Sequence, residues 1–345
     1  MLPPGALKLS RKHRPCRRLA AALALLLASD AARLFAQAPA GVQAPASAQP
    51  TTAQTAAPLP PSDDPKRLIE LGQFPAAEAA LRHSLKVDPS QAEAHYLLGY
   101  VLFRERKPAE SLAEFTAGAR GREPTPEELK IVASDYIFLK DYADAERWLR
   151  FATEHAPADA AAWYLLGRTQ YNEDRAADAI SSFQRCLRLR PRDLKAEYNL
   201  GLAYERVGQP NQAIAAYTSA IEWDRQQPVR DAQPYLDLGM LHLGQGQAEK
   251  ALGPLRAAVK LGDRNPLAAQ ELGLALEAVG RFDEALVSLR RAAELAPAAE
   301  RPHFFLGRLY RRLGRKQDAA AEFALVAQLA GSHSEAATPN EQEHP

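Results

Sequence analysis

Apolar residues recur along most of this chain at helical spacing, and the spacing itself repeats. Counting from Ala160, Trp163, Leu166, Gly167 and Gln170 fall at positions 4, 7, 8 and 11, one face of a helix. Ala179, Phe183 and Cys186 follow at positions 20, 24 and 27, one face of a second helix, and Pro191 at position 32 cannot continue it. Gly99, Gly167, Gly201, Gly239, Gly273 and Gly307 each follow a leucine. Gly99 to Gly167 is 68 residues, three of the remaining steps are 34, and only Gly201 to Gly239 differs, at 38. A fixed period of this size predicts stacked helical hairpins.

The same register runs through the chain. Position 20 reads Ala77, Ser111, Ala145, Ala179, Ala213, Ala251, Ala285 and Ala319. Position 24 reads Leu81, Phe115, Leu149, Phe183, Tyr217, Leu255, Leu289 and Phe323. Glycine inside a helix costs ~1 kcal/mol relative to alanine, so packing must offset it. Small residues at 8 and 20 let two helices approach, and the large residue at 24 fills the space beside them. Gly72, Gly208, Gly246, Gly280 and Gly314 occupy position 15, where the chain turns between helices and a positive φ is useful.

This pattern resembles the tetratricopeptide repeat family: large at 4, Leu at 7, Gly or Ala at 8, Ala at 20, large at 24 and Pro at 32. The resemblance implies an all-α fold, a right-handed α-solenoid of stacked antiparallel helix pairs. Eight units are expected within 58–333: 58–91, 92–125, 126–159, 160–193, 194–227, 232–265, 266–299 and 300–333. The first unit has Pro61, Asp64 and Pro65 where its first helix should begin, so that helix is expected to be short, opening near 62–65. Pro228-Val229-Arg230-Asp231 are extra residues after unit five, which also carries Arg225 in place of proline at 32. A longer loop or an extended helix is expected there.

Charge is balanced, with Lys+Arg 43 against Asp+Glu 42, but not evenly spread. Residues 1–36 hold seven Lys/Arg and one acidic residue, leaving 36 against 41 in the rest. The repeat region therefore carries no basic excess for nucleic acid. Arg11, Lys12, Arg14, Arg17 and Arg18 precede the apolar run Leu19 to Ala28 and a set of small residues, the layout of a secretory signal peptide. As a helix that run reaches only ~15 Å, about half of a ~30 Å hydrocarbon core. An uncleaved anchor over 19–36 and a basic tail stay open as alternatives. Residues 37–63, rich in Ala, Pro, Gln and Thr, read as a flexible linker, and 334–345 (polar from about Gly331) as a disordered tail. The expected location is exported, periplasmic or envelope-associated, or cytoplasmic if the leader does not function. Membrane contact is expected only through an uncleaved leader.

Candidate chemistry is sparse. No P-loop, nucleophile elbow or zinc-protease motif occurs, and no cofactor or metal is expected. His95 and His303 at position 4, and His242 at position 11, read as structural. Asp63-Asp64 and Glu127-Glu128 sit at helix starts, where carboxylates favour the dipole. Cys186 reads as a small buried hydrophobe. Enzymatic activity is not expected, nor a small-molecule substrate.

Function must then come from a surface. In the family, positions 2, 5, 9, 12 and 13 of the first helices face a concave groove. Carried over, this implies peptide-binding residues Tyr96, Tyr100, Phe103, Lys130, Phe138, Tyr164, Arg168 and Tyr171 toward the N-terminal end. At the C-terminal end it implies Arg301, Phe304, Arg308, Arg311 and Arg312. Aromatics and arginine are typical binding anchors. The expected function is a protein- or peptide-binding scaffold of the envelope. The alternative is an auxiliary subunit that holds an enzyme or secretion component through a bound segment. The expected partner is a protein or peptide, and self-association through the last repeat is a further expectation.

Overall fold

The computed structural model describes residues 64–227 and 230–336. The leader, the linker and residues 337–345 lie outside the described residues, as do 58–63 of the first expected unit and Pro228-Val229 of the insertion. Sixteen helices and no strand occur among the described residues. They group into two compact units that divide between Arg175 and Ala176.

In the first unit, α1 (Pro65–Glu70) pairs with α2 (Phe74–Val87), α3 (Ala92–Arg104) with α4 (Pro108–Gly118), and α5 (Pro126–Phe138) with α6 (Tyr142–His155). Helix α7 (Ala160–Asn172) packs on α6. The second unit opens with α8 (Ala176–Leu189), which packs on α9 (Leu194–Arg206). Helix α9 pairs with α10 (Pro210–Asp224), and α11 (Gln233–Gly244) with α12 (Ala248–Leu261). Then α13 (Pro266–Ala278) pairs with α14 (Phe282–Leu295), and α15 (Glu300–Arg312) with α16 (Lys316–Ala336). Within each unit every hairpin also stacks on the next, the arrangement of an α-solenoid.

Local chemistry starts these helices. Asp64 caps α1 through the Lys66 amide, with Pro65 at its first turn. Asp159, Asp193 and Asn265 accept amide bonds at the starts of α7, α9 and α13. Thr125 and Glu128 form a reciprocal capping box at α5, at 3.3 and 2.7 Å. Asp64 and Glu128 are thus capping groups, whereas Glu127 pairs with Lys130 at 3.4 Å and Asp63 lies outside the described residues.

Packing follows the small and large positions. The position-20 alanines Ala77, Ala145, Ala179, Ala213, Ala251 and Ala285 are fully buried. Ser111 fits the same place because its hydroxyl donates to the Gly99 carbonyl at 2.8 Å. A Cβ on Gly99, Gly201, Gly239 or Gly273 would stand 2.5–2.8 Å from the large side chain at position 24 of the same hairpin. The five position-15 glycines have φ of 70–79°. Arg106, Lys140 and Asp174 make the same turn at φ 60, 62 and 63°, in repeats where the sequence offers no glycine.

Position 4 performs a recurring task. His95 Nε2 lies 3.1 Å from the Pro89 carbonyl, Trp163 Nε1 donates to the Pro157 carbonyl at 3.0 Å, and His303 Nε2 lies 3.2 Å from the Pro297 carbonyl. Each proline ends the preceding repeat. Both histidines also face a glutamate of their own hairpin, Glu114 at 2.6 Å and Glu322 at 2.7 Å.

Two segments differ from expectation or refine it. Helix α16 continues through Gly331 to Ala336, where the sequence suggests a tail. Good helix formers from Ala319 to Ala330 carry the helix past the usual unit length. At the insertion, α10 ends at Asp224, whose buried carboxylate accepts the Asp231 amide at 3.1 Å, and α11 begins at Gln233.

Candidate functional site

In the first unit the anticipated groove residues divide into two groups. Tyr96 is a correction: it is only 3% exposed and belongs to the core. Its ring packs 5.8 Å from Phe115, and its hydroxyl donates to the Arg122 carbonyl at 2.8 Å. The Arg122 guanidinium lies 4.0 Å over the same ring. It pairs with Glu128 at 2.6 Å and Glu93 at 3.1 Å, and Glu128 foremost raises its already high pKa. Arg122 is therefore a clasp between α3 and α5 that the sequence pattern does not reveal. Lys130 is also committed, to Asp159 at 2.5 Å and Glu127 at 3.4 Å. Burial raises Asp159, but Lys130 and the α7 amides outweigh it and hold the carboxyl below its ordinary range. Lys130 thus joins consecutive repeats and is not a free cation for a ligand.

The other residues form surface. Phe138 is 53% exposed, and its ring meets Phe103 at 6.0 Å. Half-buried Tyr100 accepts from Arg104 at 2.6 Å. The Arg104 guanidinium also lies 4.6 Å over Phe74, tying α2 to this face. Phe74 and Arg104 were not anticipated; Arg104 stands at position 13, one of the inward positions. On α7, Arg168 is exposed, 5.9 Å from the half-buried Tyr164 ring, and Tyr171 is half-buried.

In the second unit α15 gathers the anticipated arginines. Phe304 is 45% exposed, with its ring 5.6 Å from Phe305 and 6.1 Å from Phe323. Arg308 and Arg312 reach Glu277 of α13, at 2.6 and 3.5 Å. These two arginines join repeats as well as line a surface. Arg301 and Arg311 are exposed, and each stands over a ring, Phe305 at 6.0 Å and Phe323 at 5.7 Å. Beside Arg301 opens a cleft of about 340 Å³ between α13 and α15, lined chiefly by Leu267, Gln270, Ala296, Ala299 and Pro302. Leu267 (38% exposed) and Met240 (38% exposed) extend the apolar surface. They too were unanticipated, although Leu267 occupies position 2 and Met240 position 9.

Among the described residues no cluster of three or more His, Cys, Asp or Glu could hold a metal ion. No described helix is long and apolar enough to cross a membrane. The cleft carries one charge of each sign, Glu300 and Arg301, while the exposed Phe304 and Arg311 beside it add an aromatic and a basic group of the kind that anchors an extended segment.

The tetratricopeptide repeat profile matches residues 66–124, 133–194, 198–266 and 270–334. Anaphase-promoting complex subunit 3 of Schizosaccharomyces pombe is 24% identical over 265 residues, covering 76% of this chain and 39% of that protein. The peroxisomal targeting signal receptor of Candida albicans is 24% identical over 197 residues, covering 46% of this chain and 33% of that protein. The chain thus spans well under half the length of these curated relatives. The crystal structure of PilW, described as a type IV pilus biogenesis factor, superposes with a TM-score of 0.50 at 20% identity, over 59% of this chain and 92% of PilW. With its 34-residue register, its stacked hairpins and a profile match across most of its length, the chain belongs to the tetratricopeptide repeat family.

Proposed function

We propose that this chain is a non-enzymatic scaffold of the cell envelope that holds a protein or peptide partner on the first-helix faces of its repeats. Protein or peptide binding follows from the family. The α15 face carries the finer reading. There Phe304 and Leu267 are exposed beside a cleft, and Arg301 and Arg311 lie above rings instead of in ion pairs. An arginine held over an aromatic ring offers its donors to a carboxylate while the ring and the cleft take apolar groups. The partner segment is therefore extended, with acidic and apolar residues interleaved. Envelope placement is supported by the basic stretch, apolar run and small residues at the N-terminus.

Peptide arrays probed with the purified chain test the first reading. Acidic–apolar peptides bind, and Arg301→Ala/Phe304→Ala removes most of that binding while the helical signal persists. Equal binding by the double variant refutes the α15 site. Mass analysis of the N-terminus from fractionated cells tests export. A cytosolic chain retaining Met1 refutes the envelope placement.

A further inference from the structure

Each hairpin of the second compact unit has two ends. One carries the turn within the repeat, and the other carries the junction to the next repeat. Because the hairpins are antiparallel and stack in order, the junctions after α8, α10 and α12 lie along one edge of the unit, a few helix widths in length. Arg188 and Arg192 flank the first junction, Arg225 and Arg230 the second, and Lys260 and Arg264 the third. All six are exposed, and none forms an ion pair among the described residues.

The carboxylates at these junctions are mostly engaged. Asp193 holds Arg190 at 3.1 Å and caps α9. Asp231 accepts the Gln233 amide at 2.9 Å, and the buried Asp224 accepts the Asp231 amide. Glu197, in the first turn of α9, is half-buried, and burial pushes its carboxyl up toward the neutral form. Glu222 and Asp263 are exposed acids on the same edge, too few to balance six cations. At the opposite edge Arg281 and Arg315 are held by Glu284 and Asp318. Outside residues 1–36 the chain is acidic overall, 36 Lys/Arg against 41 Asp/Glu, so this edge runs against the sign of the whole. Like charges gathered on one edge repel one another, and an anionic partner relieves that repulsion.

We propose that this edge rests on a lipid surface carrying anionic headgroups, with its arginines and Lys260 set against lipid phosphates. The cations stand on turns and helix ends at the tips of the hairpins, so a flat partner meets all three junctions at once. Residues 188–193, 225–231 and 260–265 include no aromatic residue, so nothing there stacks nucleic-acid bases. Half-buried Trp223, in the last turn of α10, adds a residue type favoured at lipid–water interfaces. Each Lys or Arg near an anionic leaflet strengthens binding roughly fivefold, so six suffice for a peripheral contact without an inserted helix. This contact lies in the folded repeats, whereas the sequence alone places membrane contact in the leader. It is separate from the peptide reading of the α15 face, so either can fail alone.

The test follows hydrogen exchange of the full chain by mass spectrometry with two kinds of vesicle, phosphatidylcholine alone and phosphatidylcholine mixed with phosphatidylglycerol. Reading exchange peptide by peptide separates this edge from the basic N-terminal stretch. Anionic vesicles should slow exchange at the three junctions, neutral vesicles should not, and about 0.5 M salt should abolish the effect. Arg188→Gln/Arg225→Gln/Arg264→Gln removes one cation from each junction and should raise the lipid needed for half-protection about a hundredfold. Should that variant fail to fold, Arg230→Gln/Lys260→Gln decides, with a rise of roughly twenty-five-fold expected. Slowing confined to residues 1–36, equal slowing by neutral vesicles, or unchanged slowing in a folded variant overturns the proposal. Soluble polyglutamate at the same concentration of charge is the last arm. Junction slowing equal to that by anionic vesicles overturns the lipid assignment in favour of an acidic polypeptide, and weaker slowing supports it.

Discussion

Asp135 in α5 is fully buried, and neither carboxylate oxygen has a hydrogen-bond partner. Burial pushes its pKa up to about 7 from an ordinary 3.8, opposed only by the nearby Ser111 hydroxyl. That hydroxyl donates to the Gly99 carbonyl, so it gives the carboxylate little. The consequence is a pH-dependent stability with a fixed sign. Below about pH 4 the carboxyl is protonated in both folded and unfolded chains and exerts no penalty. Between about pH 4 and 7 the unfolded chain releases its proton while the folded chain keeps it, so stability falls as pH rises. Above about pH 7 the folded chain carries the buried charge and the loss is complete. A shift of about three units at 1.36 kcal/mol each gives roughly 4 kcal/mol.

Asp135→Asn removes the titration while preserving shape. The variant should match the parent near pH 4 and become more stable as pH rises, by up to about 4 kcal/mol above pH 8. Urea unfolding of both chains across this range measures the difference. Trp148 and Trp163 fluorescence reports on the first compact unit, where Asp135 lies. A difference that stays constant with pH refutes the reasoning, because a neutral packing effect would not follow the proton. A difference growing toward low pH would mean that the folded state stabilises the charge.

Three further substitutions probe the fold. Gly239→Ala places a Cβ 2.5 Å from the Leu255 side chain and should destabilise by about 1–3 kcal/mol in urea unfolding, with the Gly239→Ala/Leu255→Ala double variant losing less than the sum of the two single losses. Lys140→Gly relieves a left-handed turn residue at φ 62° and should raise stability by roughly 0.5–1 kcal/mol, seen as a higher melting temperature. Tyr96→Phe deletes the bond to the Arg122 carbonyl and should cost about 1 kcal/mol in stability while leaving peptide binding unchanged, because the ring is core and not groove.

Most of the fold was legible because its determinants are local and periodic. Small residues at 8 and 20 against a large one at 24 describe a close helix contact, and the contacts of Gly99 with Phe115 and Gly201 with Tyr217 are that contact. The turns at Arg106, Lys140 and Asp174 were not legible, since the stacking on either side imposes a backbone that only the five glycines announce. The end of α16 runs three residues past the expected start of the tail, because polar composition near the C-terminus says little about a helix already anchored by its hairpin.

The candidate site was only half legible, because one repeat position serves two purposes. Tyr96 and Phe304 both occupy position 5, yet one is 3% exposed and the other 45%. Their neighbours decide the difference. Gly118, at position 27 of its hairpin, leaves room for the Tyr96 ring; a Cβ there would stand 3.0 Å from it, and Arg122 then covers the ring. Val326 holds the same place beside Phe304, and no arginine four residues on corresponds to Arg122, since Ala330 stands there. Lys130, at position 5 of its own repeat, is drawn aside by Asp159, a cap whose charge serves the next helix. A position-5 side chain is therefore left on the surface only where positions 27, 31 and the following cap do not claim it. That rule uses residues about 20 to 30 positions distant in sequence, the span of one hairpin. It explains why an inventory of first-helix positions mixed core, inter-repeat clasp and open surface.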